Sequence, residues 1–270
     1  MFLWCIMMLN HWRRMCSKLV NTQMKQIKLI VAATTLILFS SCETLNVAAQ
    51  QVMTQGGVGG LNPSSAEIAS GLKQALEYGT TYSAERLSSQ NGFLGNAAIK
   101  ILFPAEAQKA EKTLRSLGLN QLCDNVITSL NRAAEDAAKE AKPIFISAIK
   151  QMTIADATNI LLGGQNDAAT SYFKRVTNAQ LTEKFRPVIQ NSLGKVGATK
   201  YWGDVVTRYN AIPLTADINP DLSSYVTQMA ISGLFQEIAK EELKIRQNLS
   251  ARNTSLLQKV FGYADRNKSN

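Results

Sequence analysis

Two short runs hold most of the side chains that could do chemistry. In the first, Asn131 and Glu135 are four residues apart, with Arg132, Asp136 and Lys139 beside them. Side chains four apart share one face of a helix. Two readings stand: a solvated ladder of i,i+4 charges, or Asn131 and Glu135 turned into a polar pocket beside an alanine-rich face. In the second run, Glu241 and Glu242 precede Lys244 and Arg246, with Arg252 and Thr254 beyond. Glu242 and Arg246 have the spacing of a helix ion pair, worth a few tenths of a kcal/mol at a surface. Adjacent helical residues diverge by about 100°, so Glu241 and Glu242 do not converge on a metal ion. Glycoside hydrolysis needs two carboxyls about 5–9.5 Å apart across a cleft, and Glu135 with Glu242 is the pair to test for it. Asn131, Arg132, Glu135, Glu242 and Arg246 are therefore the candidate polar pocket.

Other chemistries are closed by composition. The one histidine, His11, lies near the start. Beyond residue 42 there is none, which excludes Ser-His-Asp and Cys-His catalysis and histidine-ligated zinc there. Of four cysteines, Cys5, Cys16 and Cys42 fall in the first 42 residues and only Cys123 follows. It sits in an apolar helical pattern and is expected to be a buried, inert thiol. The pairs Gly56–Gly57 and Gly59–Gly60 lack the lysine-serine and the preceding strand of a phosphate loop. No cofactor is expected. Tyr82, Tyr172, Phe173, Tyr201, Trp202 and Tyr225 have two readings, the lining of a pocket or core packing, and core packing explains them at lower cost.

The elements that must position these groups begin after a leader. Residues 24–42 read MKQIKLIVAATTLILFSSC: a basic start, an apolar run over Leu29–Phe39, two serines and Cys42. That is the pattern of a secretory signal, and the run is too short for a spanning helix, which needs roughly 18 or more apolar residues. It resembles a bacterial lipoprotein signal, in which the cysteine is acylated and becomes the mature N-terminus. Phe39 departs from the usual leucine three places before the cysteine, and Leu38 stands one place earlier. The resemblance implies a signal peptide over 24–41 and lipidation at Cys42. Glu43 is not the aspartate that retains such proteins in the inner membrane, which favours the outer membrane and its periplasmic face. Residues 1–23 are redundant to this signal, so translation is expected to begin at Met24. The net charge of +9 is largely the leader's, which holds five basic residues and no acid. The remainder carries 24 basic and 20 acidic residues, too even a balance to argue for nucleic acid.

Residues 42–63 read as a flexible tether. Residues 64–262 read as one domain, followed by a polar tail over 263–270. Ser64 with Glu67 forms a capping box before Ile68, Leu72, Ala75, Leu76 and Tyr82 on one helical face. Asn91–Gly92 and Gly95–Asn96 mark a loop, and residues 99–103 a short extended piece. A helix over 105–117 closes at Gly118. A long helix runs from Leu122 to about Lys142, where Pro143 breaks or kinks it. Thr153 with Asp156 caps a short helix ending at Gly163–Gly164. Asn166 caps a helix through Phe173, and Thr177 with Gln180 caps another that Pro187 kinks. Helices over 200–209, after Asp221 and around Leu256–Phe261 complete the set. The fold class is all-α, a compact multi-helix bundle rather than a solenoid.

Longer stretches carry a family resemblance: GFLGN over 92–96, NRAAE over 131–135, AKPIF over 141–145, AIKQMTIADA over 148–157, EELKIR over 241–246 and LLQKVFG over 256–262. They resemble the bacterial lipoprotein family catalogued as domain of unknown function 4197, over about residues 65–262. The resemblance implies a helical, envelope-facing domain in Gram-negative bacteria and no assigned activity. The expected protein is a lipid-anchored, non-enzymatic binding module for an apolar small molecule or an envelope protein partner. The alternative is a carboxylate-dependent envelope hydrolase of glycosidase type.

Overall fold

Ser64 starts the first helix as its spacing predicts: the Ser64 hydroxyl accepts from the Glu67 N–H at 3.2 Å and the Glu67 carboxylate from the Ser64 N–H at 2.8 Å. The structure, a computed structural model, describes residues 62–213 and 221–267. The signal, the lipidation site Cys42 and the tether up to residue 61 lie outside them. Among the described residues there are nine α-helices and no strand.

Helix α1 (Ser65–Ser88) buries Ile68, Leu72, Ala75, Leu76, Ala84 and Leu87. Tyr82 was expected on that face. It is instead 47% exposed, with the Lys244 ammonium 5.5 Å from its ring centre. A loop over 89–104 follows, then a 3₁₀ turn (Ala105–Ala107) and α2 (Gln108–Ser116). Gly118, at φ +81°, ends α2. The Leu119 N–H reaches back to the Leu114 carbonyl at 2.9 Å, the closing bond of a Schellman motif.

Helix α3 (Asn120–Ala138) is central, packing against α1, α2 and three later helices, α6 (Ala168–Lys195), α7 (Ala198–Asn210) and α8 (Leu222–Gln247). Its buried Ala133, Ala134, Ala137 and Ala138 let those neighbours approach. It stops earlier than its periodicity suggests. The break falls at Lys139–Glu140, and Pro143 is the third residue of a new helix, α4 (Ala141–Gln151). In a first turn proline forfeits no intrahelical bond.

Helix α5 (Ile154–Leu162) opens on the expected Thr153–Asp156 box. The next stretch differs from expectation. Helix α6 is one helix from Ala168 to Lys195 that continues through Pro187. Thr177 is not a cap: its hydroxyl donates to the Phe173 carbonyl one turn back at 2.7 Å, inside the helix. Nor is Asn166, since Asp167 precedes α6 and makes no side-chain cap bond.

Gly197, at φ +72°, leads into α7. Asp221 caps α8 through the Ser223 and Ser224 N–H groups, at 3.0 and 3.1 Å. A 3₁₀ turn (Leu249–Ala251) leads to α9 (Ser255–Asn267), which runs into the stretch read as a tail. Helix α9 returns to α1 so closely that a Cβ on Gly71 would lie 2.8 Å from Val260 Cγ2. First and last helices in contact make a closed bundle. Edge-on rings of Phe173 and Phe235 against Phe145, at 5.2 and 6.2 Å, sit in its core. No described helix is long and apolar enough to cross a membrane.

Candidate functional site

The loop over 89–104 carries buried side chains but no regular backbone ladder, so its polar groups need partners from elsewhere. Helix α3 supplies them. The Asn131 amide accepts from the Ile101 N–H at 2.9 Å and donates to the Ile101 carbonyl at 2.8 Å. A fully buried side chain thus stands in for a neighbouring strand. This is how residues 99–103 are held without being part of a sheet. The same amide donates to the Ile127 carbonyl one turn back, at 2.7 Å.

One turn on, Glu135 receives the N–H groups of Phe93 and Leu94 on one oxygen, at 3.1 and 3.2 Å. Its other oxygen accepts from Arg132, whose second nitrogen reaches the Asn91 side chain at 2.9 Å. Asn91 is the one described non-glycine residue with positive φ, at +67°. Beside it, Gly92 has no room for a side chain, since a Cβ would meet the Arg86 and Leu87 carbonyls at 2.5 Å. Phe93 is fully buried, its ring edge against Gly233 of α8. Asn131, Arg132 and Glu135 therefore form a clasp that seats this loop. The charge ladder is real only at its edge, where Asp136 binds Lys139 and Ser192 at 2.7 and 2.8 Å. Lys139 foremost, then Ser192, hold the Asp136 carboxyl below its usual range.

The second run makes a junction of helix ends. Glu242 accepts from the Ala169 and Thr170 N–H groups at 2.9 and 2.8 Å, and from the Thr170 hydroxyl at 2.8 Å. It is the N-cap that α6 lacks locally, and its charge suits the positive end of the helix. Arg246 holds Glu242 with two nitrogens at 3.0 and 2.8 Å and turns a third bond to the Ile160 carbonyl at the end of α5, at 2.9 Å. Arg252 then takes the last carbonyls of α8, Ile245 and Arg246, at 3.0 and 2.8 Å, and pairs with Asp265 at 2.6 Å. The Glu242–Arg246 pair is buried, not the surface pair that spacing suggested.

The five candidate residues thus fall into two groups. Asn131, Arg132 and Glu135 meet on the loop; Glu242 and Arg246 meet at the ends of α5 and α6. Glu135 and Glu242 share no partner. Glu242 and Arg246 also border a cavity of about 20 Å³ with Leu72, Leu76, Ala169 and Phe261. A space of roughly 10–15 Å³ already accommodates a water.

Two participants, Thr170 and Glu237, were missed, and Arg252, named beyond the second run, had no role that its spacing assigns. Thr170 lies inside what reads as ordinary helix. Glu237 is 1% exposed, yet pairs with Arg86 at 2.9 Å and Lys240 at 3.3 Å. Cys123 is buried as expected, and burial pushes its thiol pKa up. Among the described residues no group of three or more His, Cys, Asp or Glu is placed to hold a metal ion.

A family model described as protein of unknown function (DUF4197) matches residues 62–262. No curated protein and no solved structure matches the chain.

Proposed function

The chain belongs to the DUF4197 family of proteins of unknown function, and from that premise we propose that it is a non-enzymatic binding module, anchored in the cell envelope by lipid on Cys42. One observation carries the non-enzymatic part. Each of the four ionic side chains of the candidate pocket, Arg132, Glu135, Glu242 and Arg246, spends its charge on the chain's own backbone or on a buried counter-ion. A catalytic carboxylate needs a lone pair free for substrate within hydrogen-bond reach. The signal ending in Ser40–Ser41–Cys42 supports the anchor, and Glu43 supports the periplasmic face of the outer membrane.

The module works on a protein partner in preference to an apolar small molecule in the core. The cavity beside Glu242 is about 20 Å³, whereas sites for drug-sized ligands measure about 300–1,000 Å³. The glycosidase reading has no such support, because its two carboxylates serve separate networks.

The test is metabolic labelling with a palmitate analogue, combined with complementation of a deletion strain. Wild type is expected to take up label and float with membranes, and Cys42→Ala to do neither. Glu135→Gln and Glu242→Gln are expected to complement in proportion to the folded protein they yield. An unlabelled wild type would remove the anchor. A folded Glu135→Gln or Glu242→Gln that fails to complement would remove the non-enzymatic reading.

A further inference from the structure

Helices α6 and α8 run antiparallel: Glu242 near the end of α8 caps the start of α6, and Asp221 at the start of α8 lies 4.0 Å from Arg186. Between them runs a groove of about 790 Å³. Lys174, Arg175 and Asn178 stand along its α6 wall, and Gln228, Ile231 and Phe235 along its α8 wall. Residues three and four apart share a helix face, so each wall is continuous. No carboxylate lines the groove.

The two cations are treated unlike others on the surface. Lys139, Lys142, Lys244 and Lys259 each hold a carboxylate, at 2.6–3.2 Å. The Lys174 ammonium instead stands 6.0 Å from the centre of the Phe235 ring, and the Arg175 guanidinium 5.5 Å from that of Tyr172. Asp156 of α5 shares a neighbouring hollow with Arg175, but its carboxylate is taken up by the Thr153 cap. The floor is apolar and recessed, with Ile231 and Phe235 5% and 4% exposed. Asn178 and Gln228 are exposed at the rims, and each amide can both donate and accept. Asn131 uses the same two functions to hold the Ile101 N–H and carbonyl.

An occupant that matches this groove brings negative charge for the cations, an apolar group for the floor and peptide groups for the rims. An extended acidic peptide has all three, since its alternate side chains point to opposite faces. A bilayer surface would meet the cations but not a floor recessed between two helices, and a free anion would leave floor and rims unused. We infer that the groove between α6 and α8 docks an extended acidic segment of a partner protein. Its carboxylates pair with Lys174 and Arg175, its backbone with Asn178 and Gln228, and an apolar side chain covers Ile231 and Phe235. The inference rests on the protein-partner reading above and gives that partner its chemistry.

The probe is a fluorescein-labelled peptide of alternating glutamate and leucine, titrated with the full chain and read by anisotropy. Saturable binding that weakens with added salt is expected, and none with the matching lysine–leucine peptide. Lys174→Glu with Arg175→Glu is expected to raise Kd about tenfold or more, as loss of complementary interface charge does. Lys109→Glu with Lys112→Glu makes the same change of net charge on exposed positions of α2 and is expected to leave Kd unchanged. Ser232→Glu sets a carboxylate on the α8 wall from an exposed position and is expected to weaken binding too, which decides the matter should the double reversal not fold. No saturable binding, equal loss from the α2 reversal, or a Kd unmoved by Ser232→Glu overturns the assignment. So does displacement of the peptide by equimolar inorganic phosphate, which would leave a simple anion site. Binding to phosphatidylglycerol vesicles that Lys174→Glu with Arg175→Glu abolishes, without peptide binding, overturns it in favour of a membrane surface. Any of these leaves the labelling and complementation outcomes untouched, so the readings fall separately.

Discussion

Asn131 and Glu242 do the same kind of work with opposite electrostatics. Asn131 is neutral and mimics a strand; Glu242 is charged and mimics a local cap. Asn131→Ala leaves the Ile101 N–H and carbonyl without their partner, at a cost of about 1–3 kcal/mol for each buried group left unpaired. Asn131→Asp is expected to be worse, because a carboxylate oxygen then faces the Ile101 and Ile127 carbonyls where an amide donated. Urea denaturation decides this, and a ranking of Asp above Ala in stability would contradict the clasp. Glu242→Ala strands a buried guanidinium and is expected to cost about 3–5 kcal/mol. The pair Glu242→Leu with Arg246→Met removes both charges, so its loss is expected to be smaller than the sum of the single losses. A strictly additive cycle would mean the two side chains do not interact. The spacing shows that Glu242 and Arg246 can pair and that Asn131 shares a face with Glu135, but neither the burial nor the backbone partners were legible in the sequence. Asn131 and Ile101 are 30 residues apart, and Glu242 and Ala169 are 73. Helical periodicity assigns a residue to a face but does not say which backbone arrives there.

The elements were more legible, for the complementary reason. The boxes Ser64–Glu67 and Thr153–Asp156, the cap at Asp221 and the stop at Gly118 are satisfied within a few residues. Local chemistry therefore places those helix ends. Helix α6 was misread where its cap is borrowed from α8, and where Thr177 turned its hydroxyl back into the helix. Two glycines inside helices make the role of close approach measurable. Alanine normally gains about 0.8–1.0 kcal/mol over glycine in a helix interior. Gly203 of α7 has open space where a Cβ would go, so Gly203→Ala is expected to raise the melting temperature. At Gly233 of α8 a Cβ would lie 2.7 Å from Phe93 and 3.3 Å from Ile99. Gly233→Ala is expected to reverse the sign and cost about 1–3 kcal/mol as overpacking. Melting of the two variants side by side checks this, and stabilisation by both would show that the loop does not press on α8.

At the scale of the whole molecule, stability depends on bringing the first helix against the last. Gly71 and Val260 make that contact in the core, and Glu67 with Lys259 makes it at the surface, at 2.6 Å. Lys259, then the Ser64 backbone and hydroxyl, lower the Glu67 pKa from 4.5 to about 2. The folded state thus holds a carboxylate more acidic than the unfolded chain does, and such a group favours folding when ionised. Its contribution is fully present above about pH 4.5, is lost as pH falls toward about 2, and is absent below. The sign is that of acid destabilisation. Asp136, Asp156 and Asp221 are shifted in the same direction by their own partners, so wild type loses stability over a shared acidic range. Glu67→Gln removes one participant only. Its curve of unfolding free energy against pH is expected to rise less steeply than wild type between about 2 and 4.5 and to run parallel above. Because the pair is exposed, added salt is expected to shrink the difference. Parallel curves throughout the acidic range would mean that Gly71 and Val260 close the bundle without help from the ion pair.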